Sequence, residues 1–121
     1  MLPVRLDTRG AGSVENPDGT ANTGGTSTIM LDDDLRDDSL RVSDEQGHPI
    51  AAPVWTVLGH ELVHAEHNAA GRNRRNLPST DAAYPNREEQ ETIETGGLSE
   101  NTLRGEHGLP NRHGHGVTDT R

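Results

Sequence analysis

The chain has 121 residues, 28% of them hydrophobic, with no Phe, no Cys, one Trp, one Tyr and a formal net charge of −9. That balance argues against nucleic acid or an anionic membrane as a partner, because phosphate binding needs a basic face, and the missing cysteines exclude disulfides and thiolate metal sites. One small α+β domain is expected, its thin core supplemented by something else such as a bound metal.

The first ten residues, MLPVRLDTRG, hold no apolar run long enough for a classical secretory signal. No stretch approaches the roughly 18 apolar residues of a membrane span. Gly10 to Gly25 is rich in Gly, Asn, Asp and Pro, so residues 1–25 are expected to be a flexible segment ahead of a domain over 26–112. TSTIML, Thr26 to Leu31, is the best strand candidate. The acidic run Asp32 to Asp38 lacks the alternation, central Gly and closing Glu of a calcium loop and reads as a solvated turn. A second short strand is expected near Ser39 to Val42, giving a small N-terminal β-sheet or hairpin.

The longest periodic segment runs from Pro53 to about Ala70, with Pro at its start and Gly71 just past its end, the asymmetry expected of a helix. Val54, Val57 or Leu58, Leu62, Ala65 and Ala69 follow the spacing of a buried stripe. Two or three shorter helices should follow. One opens near Asn86 and stops at Gly96-Gly97; another is capped by Ser99, with Leu98 and Leu103 placed as a hydrophobic staple, and ends at Gly108 and Pro110. Residues 113–121 read as a flexible tail.

The long helix carries the chemistry. His60 and His64 lie four residues apart, on one face and one turn above each other. Glu61 stands about 100° round the helix, beside an ion held by both rings but free of it. This is the H-E-x-x-H arrangement, in which two imidazoles hold zinc and a carboxylate takes a proton from water. Chance alone gives the pattern in roughly 3% of shuffled sequences of this composition, so its place in the one strong helix carries weight. His67 sits nearly a turn beyond His64, roughly 10 Å along the axis from His60. It reads as a neighbouring or exposed residue rather than a ligand.

The third ligand should come from the next helix, where NREEQETIETGG offers Glu88, Glu89, Glu91 and Glu94. Ile93 is its single large apolar residue and should face the core; Glu89, four residues earlier, shares that face. Glu89 is the choice, against a competing role in a capping box with Asn86. Glu88 and Glu91 are expected to point away from that face, and either is a fallback. The sequence offers no His or Tyr at a diagnostic place to stabilise an oxyanion; Tyr84, Arg104, Arg112, His107 and His113 are candidates. For Arg104 an ion pair or carbonyl cap holding the last helix is the competing role. The pair His113 and His115 reads as part of a flexible end, with adventitious metal binding its alternative.

GHELVHAEHNAAG, then EEQETI, then SENTLRGEHGLPNR, in that order, resemble the NleD-like family of bacterial effector and toxin zinc metallopeptidases over roughly Thr26 to Arg112. The resemblance implies a compact zincin fold and one zinc ion per chain, held by His60 and His64, with Glu61 as catalytic base. It also implies a Glu ligand in the EE segment, in agreement with Glu89. The function implied is a zinc endopeptidase, secreted or delivered into a target cell by a specialised system. Its partners would be a protein substrate and a larger parent chain, chaperone or cognate immunity protein. The alternative is a non-catalytic binding module whose zinc staples a small core, and a third reading is hydrolysis of a non-peptide bond by the same groups.

Overall fold

The computed structural model describes residues 4–9 and 11–120. In chain order they form strand β1 (Val4–Arg9), a 3-10 turn (Ala11–Ser13), strands β2 (Thr26–Leu31), β3 (Leu40–Ser43) and β4 (Pro49–Ala51), helices α1 (Val54–Ala69), α2 (Arg87–Glu94) and α3 (Glu100–Glu106), and strand β5 (Thr118–Asp119). The class is α+β. β1 and β2 pair antiparallel, with Leu6 opposite Ile29. The second sheet has the order β4-β3-β5, also antiparallel, with Val42 opposite Ile50 and Arg41 opposite Thr118. Among the described residues no helix is long and apolar enough to cross a membrane.

The two segments read as flexible ends contribute structure: β1 lies in the 1–25 segment and β5 in the 113–121 tail. Within these segments residues 1–3, 10 and 121 lie outside the described residues. These strands carry little periodic signal because their order comes from partners distant in sequence. Leu40 faces Asp119 across the ladder, and Thr120 donates from its backbone N–H to Ser39 O at 2.8 Å.

α1 starts after Pro53, which has no side chain with which to cap it. The cap comes instead from the acidic run: Asp37 Oδ1 accepts from Val54 N at 2.9 Å. A carboxylate there satisfies a free N–H and sits at the positive end of the helix dipole. The helix closes where Gly71 takes φ +69, with Arg72 N bonded back to His67 O at 2.9 Å. Asn86 caps α2 by accepting from Glu89 N, and Ser99 caps α3 by accepting from Thr102 N. Leu98 remains 48% exposed, and Leu103 packs against Gly59, where an added Cβ would meet its Cδ1 at 2.8 Å.

The apolar core sits between the three-stranded sheet and the start of α1. Leu35, Leu40, Val42 and Ala52 are buried there, with Ile50, Val54, Val57 and Val117 packed against them. The expected buried stripe of α1 needs correction. Leu62 is 53% and Leu58 37% exposed, and Ala69 is exposed too, whereas Thr56, His60, Val63, His64 and Asn68 are buried. Val57 keeps its expected role, but Leu58 and Leu62 do not anchor the helix. The face turned inward is the one that carries the histidines, and α2 and α3 cover it.

Candidate metal centre and active site

α1 presents His60 and His64 one turn apart, with ring centroids 4.8 Å apart and planes at 72°. Their Nε2 atoms lie 3.1 Å from each other. From α2, Glu89 reaches the same point: its Oε1 is 2.7 Å from His64 Nε2 and 3.3 Å from His60 Nε2. One donor atom from each of the three residues lies within 4.8 Å of the other two. The cap on α2 explains how Glu89 gets there. Asn86 takes the Glu89 backbone N–H at 3.0 Å, which leaves the Glu89 side chain free to turn inward.

Two further carboxylates hold the rings from behind. His60 Nδ1 donates to Glu100 Oε1 at 2.9 Å, and His64 Nδ1 donates to Glu88 Oε2 at 2.8 Å. A carboxylate only accepts, so each Nδ1 carries a hydrogen, and in a neutral ring the Nε2 lone pair is then left for a cation. Both carboxylates are fixed in turn. Glu88 accepts from His67 Nδ1 at 2.7 Å, from Arg74 N at 3.1 Å and from Thr92 Oγ1 at 3.3 Å. Glu100 accepts from Arg104 Nε and from Arg112 Nη1, each at 2.7 Å. Arg112 is clamped by Asn101, whose Oδ1 accepts from Arg112 N at 2.7 Å and whose Nδ2 donates to Arg112 O at 2.9 Å.

The electrostatics follow from this crowding. Burial opposes a charged His64, yet the Glu88 and Glu89 carboxylates outweigh it and raise its pKa to about 10. Burial opposes a charged His60 as well, and Glu100 and Glu89 overcome it, so its pKa is also raised. Burial would raise Glu88, Glu89 and Glu100, but their imidazole and guanidinium partners hold all three below the usual carboxylate range. Glu61 differs: burial dominates and pushes it up. In formal charges the four carboxylates Glu61, Glu88, Glu89 and Glu100 face the two guanidinium groups of Arg104 and Arg112, so two negative charges remain. Protons on the imidazoles can balance them, and so can one divalent cation. Two imidazoles and a carboxylate are also the donor types that a borderline divalent ion prefers. The residues present therefore fit a metal, and His60, His64 and Glu89 could hold it.

Beside this centre a cavity of about 50 Å³ opens between α1, the three-stranded sheet and the C-terminal segment. Leu40, Val42, Ala52, Val57 and Val117 form its apolar wall; Glu61, His60, Arg112 and His115 form its polar end.

His60, His64 and Glu89 come together, with Glu61 next to them on the cavity wall. His67 holds Glu88 and stands outside the donor set. Of the fallbacks, Glu91 pairs with Arg74 at 2.8 Å, away from the centre. Glu88, expected to point outward, is instead 3% exposed and anchors His64. Its burial rests on ion pairs with two histidines, which an apolar-face argument does not register. Arg104 is fully buried and ties α3 to the sheet through Ala51 O at 3.1 Å, the structural role weighed against catalysis. His107 stacks on Trp55 with centroids 4.5 Å apart, and Tyr84 packs edge-on to His113. Only Arg112 among the oxyanion candidates lines the cavity. Glu100 and His115 escaped the sequence reading. The spacing of Glu100 and Arg104 matches an ordinary surface pair on a helix, and His115 lay in a segment read as tail.

Comparison with curated proteins and with solved structures gives no match. A family model for peptidase M91, described as an effector protein, matches residues 5–114. That span includes α1, α2, α3 and Arg112, and it agrees with the resemblance carried by GHELVHAEHNAAG and the two later motifs. On that match, over most of its length, the chain belongs to the peptidase M91 family of effector proteins.

Proposed function

We propose that this chain is a zinc-dependent endopeptidase that cleaves target-cell proteins after delivery from the cell that makes it. The observation that carries the reading is the meeting of three donors, His60 Nε2, His64 Nε2 and Glu89 Oε1, with each ring anchored from behind by a buried carboxylate. Zinc, when bound, supplies Lewis acidity that acidifies water and polarises a carbonyl. His60, His64 and Glu89 would hold it, while Glu100 and Glu88 keep the two rings in the tautomer that offers Nε2.

Glu61 is the proposed base. As a water oxygen bonds to the peptide carbon, the C=O electron pair moves onto oxygen and Glu61 takes a proton from the water. When that pair returns, the C–N bond breaks and Glu61 hands the proton to the departing nitrogen. The proposed working unit extends beyond 26–112 to include the following residues up to His115, because Arg112 and His115 line the cavity.

Native mass spectrometry should find one zinc per chain, lost in His60→Ala. Incubation with target-cell lysate should produce new protein N-termini, with yields about 10²–10⁴-fold lower for Glu61→Gln at unchanged zinc content. A zinc-free wild-type protein, or equal cleavage by Glu61→Gln, rejects the reading.

A further inference from the structure

The segment Arg112–His115 was read from sequence as running into a tail, yet it is built into the site. Gly114 has φ +84 and lies so close to Ala83 that an added Cβ would meet the Ala83 Cβ at 3.3 Å. This left-handed residue lets its two histidine neighbours part company. His113 pairs with Asp81 at 2.8 Å, while His115 lines the cavity beside Glu61 and His60. The His115 backbone is fixed at both ends, its N–H donating to Ala83 O at 3.0 Å and its C=O accepting from Arg112 Nη2 at 3.0 Å. The guanidinium that holds His115 also holds Glu100, which holds His60. One arginine thus sets the distance between a prospective ligand and His115.

The His115 ring centroid is 5.9 Å from that of His60, and its Nε2 is 3.4 Å from Glu89 Oε1. It does not join the three donors that lie within 4.8 Å of one another. It therefore stands beside the ligand set and lines the same cavity as Glu61. Its Nε2 is the nitrogen turned to Glu89 Oε1, and in the Nε2–H tautomer that nitrogen is a donor.

We propose that His115 is a further catalytic residue, donating an Nε2–H hydrogen bond to the substrate carbonyl oxygen as negative charge builds there. The inference rests on the metal-peptidase reading above. The donor stays protonated throughout: Glu61 moves the proton, and His115 only stabilises charge. An N–H whose backbone is fixed in advance by Ala83 and Arg112 is well suited to this task.

The test uses the full chain loaded with Co²⁺, with acetohydroxamate as probe, because its carbonyl oxygen stands for that of the substrate. Cobalt absorption reports both metal uptake and probe binding. In His115→Phe, which keeps a ring but loses the donor, Co²⁺ affinity should stay at the wild-type value. Acetohydroxamate should bind about tenfold more weakly, the loss expected for one hydrogen bond to a charge-bearing oxygen. His115→Gln, which restores an N–H, should recover most of that loss. Equal probe affinity in wild type and His115→Phe overturns the proposal. A fall in Co²⁺ affinity as large as that of Glu89→Ala also overturns it and makes His115 a ligand instead. A wild-type chain that takes up no Co²⁺ brings down the metal-centre reading and this one with it.

Discussion

The two faces of α1 are built on opposite principles. One face holds His60 and His64, whose partners lie on α2 and α3, together with Asn68, Thr56 and Val63, its one large aliphatic residue, and all of them are buried. The opposite face carries Trp55, Leu58 and Leu62, each at least 37% exposed, with Trp55 stacked on His107 at the end of α3. Apolar burial stabilises by about 25 cal/mol per Å², so by that term alone the helix should be rotated by half a turn. It is not, because the polar face meets a complete set of partners. Glu88, Glu89 and Glu100 receive the imidazoles, Arg104 and Arg112 receive Glu100, and Asn68 bonds Ser27 and Asn73 at 2.8 and 2.7 Å. Leaving any one of these buried groups unpaired costs about 1–3 kcal/mol. The set is therefore cooperative, and the orientation of the helix is fixed by ionic and hydrogen-bonded neighbours rather than by hydrophobic periodicity.

The strongest way to break this asymmetry is to remove an imidazole. His64→Ala strips Glu88 and Glu89 of their common partner, and stoichiometric metal should be lost, as read by native mass spectrometry. The metal's own contribution to folding should go with it, about 4 kcal/mol where free metal stands at 1,000 times Kd, seen as a lower Tm that added zinc no longer raises. Next comes Ile93→Ala. This side chain is 0% exposed on α2, and truncation should cost about 2–5 kcal/mol in urea denaturation. Glu88→Gln and Glu100→Gln keep the shape of the anchoring groups but remove their charge. Each should weaken zinc binding about 10–100-fold by competition against a chelator, with Glu91→Gln as the unaffected control. On the opposite face, Leu62→Ala should change stability by less than about 0.5 kcal/mol. A loss comparable to that of Ile93→Ala would show that the outward face is covered in solution.

The comparison also explains what could be read in advance. The extent of α1 follows from Pro53 and Gly71, local signals that tertiary contacts do not override, and the capping residues Asn86 and Ser99 mark α2 and α3 for the same reason. The meeting of His60, His64 and Glu89 was legible because helical spacing fixes the two histidines, and Ile93 marks the inward face of α2. What failed was the buried stripe. Leu58 and Leu62 fit a periodic template, but the template measures apolar order and not which face acquires partners. Glu88 and Glu100 were illegible because a buried carboxylate is defined by its neighbours, and the neighbours of Glu100 include Arg112, twelve residues on. β4 is three residues of a local hairpin with β3, too short to leave a pattern, and β5 and His115 depend on pairings made at long range.

The smallest expected effect tests whether the C-terminal segment is held from outside as well as from within. His113 and Asp81 form a half-exposed pair 2.8 Å apart, on the far side of Gly114 from His115. Asp81 lies below its ordinary pKa, first because the Ala83 backbone N–H donates to it and then because of His113. His113 is raised, with its hydrogen bond to Asp81 the main cause. The signs then fix the pH window. A raised histidine contributes fully below its unfolded pKa of about 6.5, and that contribution fades as pH rises through the folded value. A depressed aspartate contributes above about 3.9 and loses its contribution as pH falls through its folded value. The pair therefore stabilises most between these limits. His113→Ala should lower Tm more at pH 5.5 than at pH 8, by a small margin because both groups are screened by solvent. Equal shifts at the two pH values would mean that the ion pair does not hold the segment, leaving Gly114 and the Ala83–His115 backbone bond to fix it.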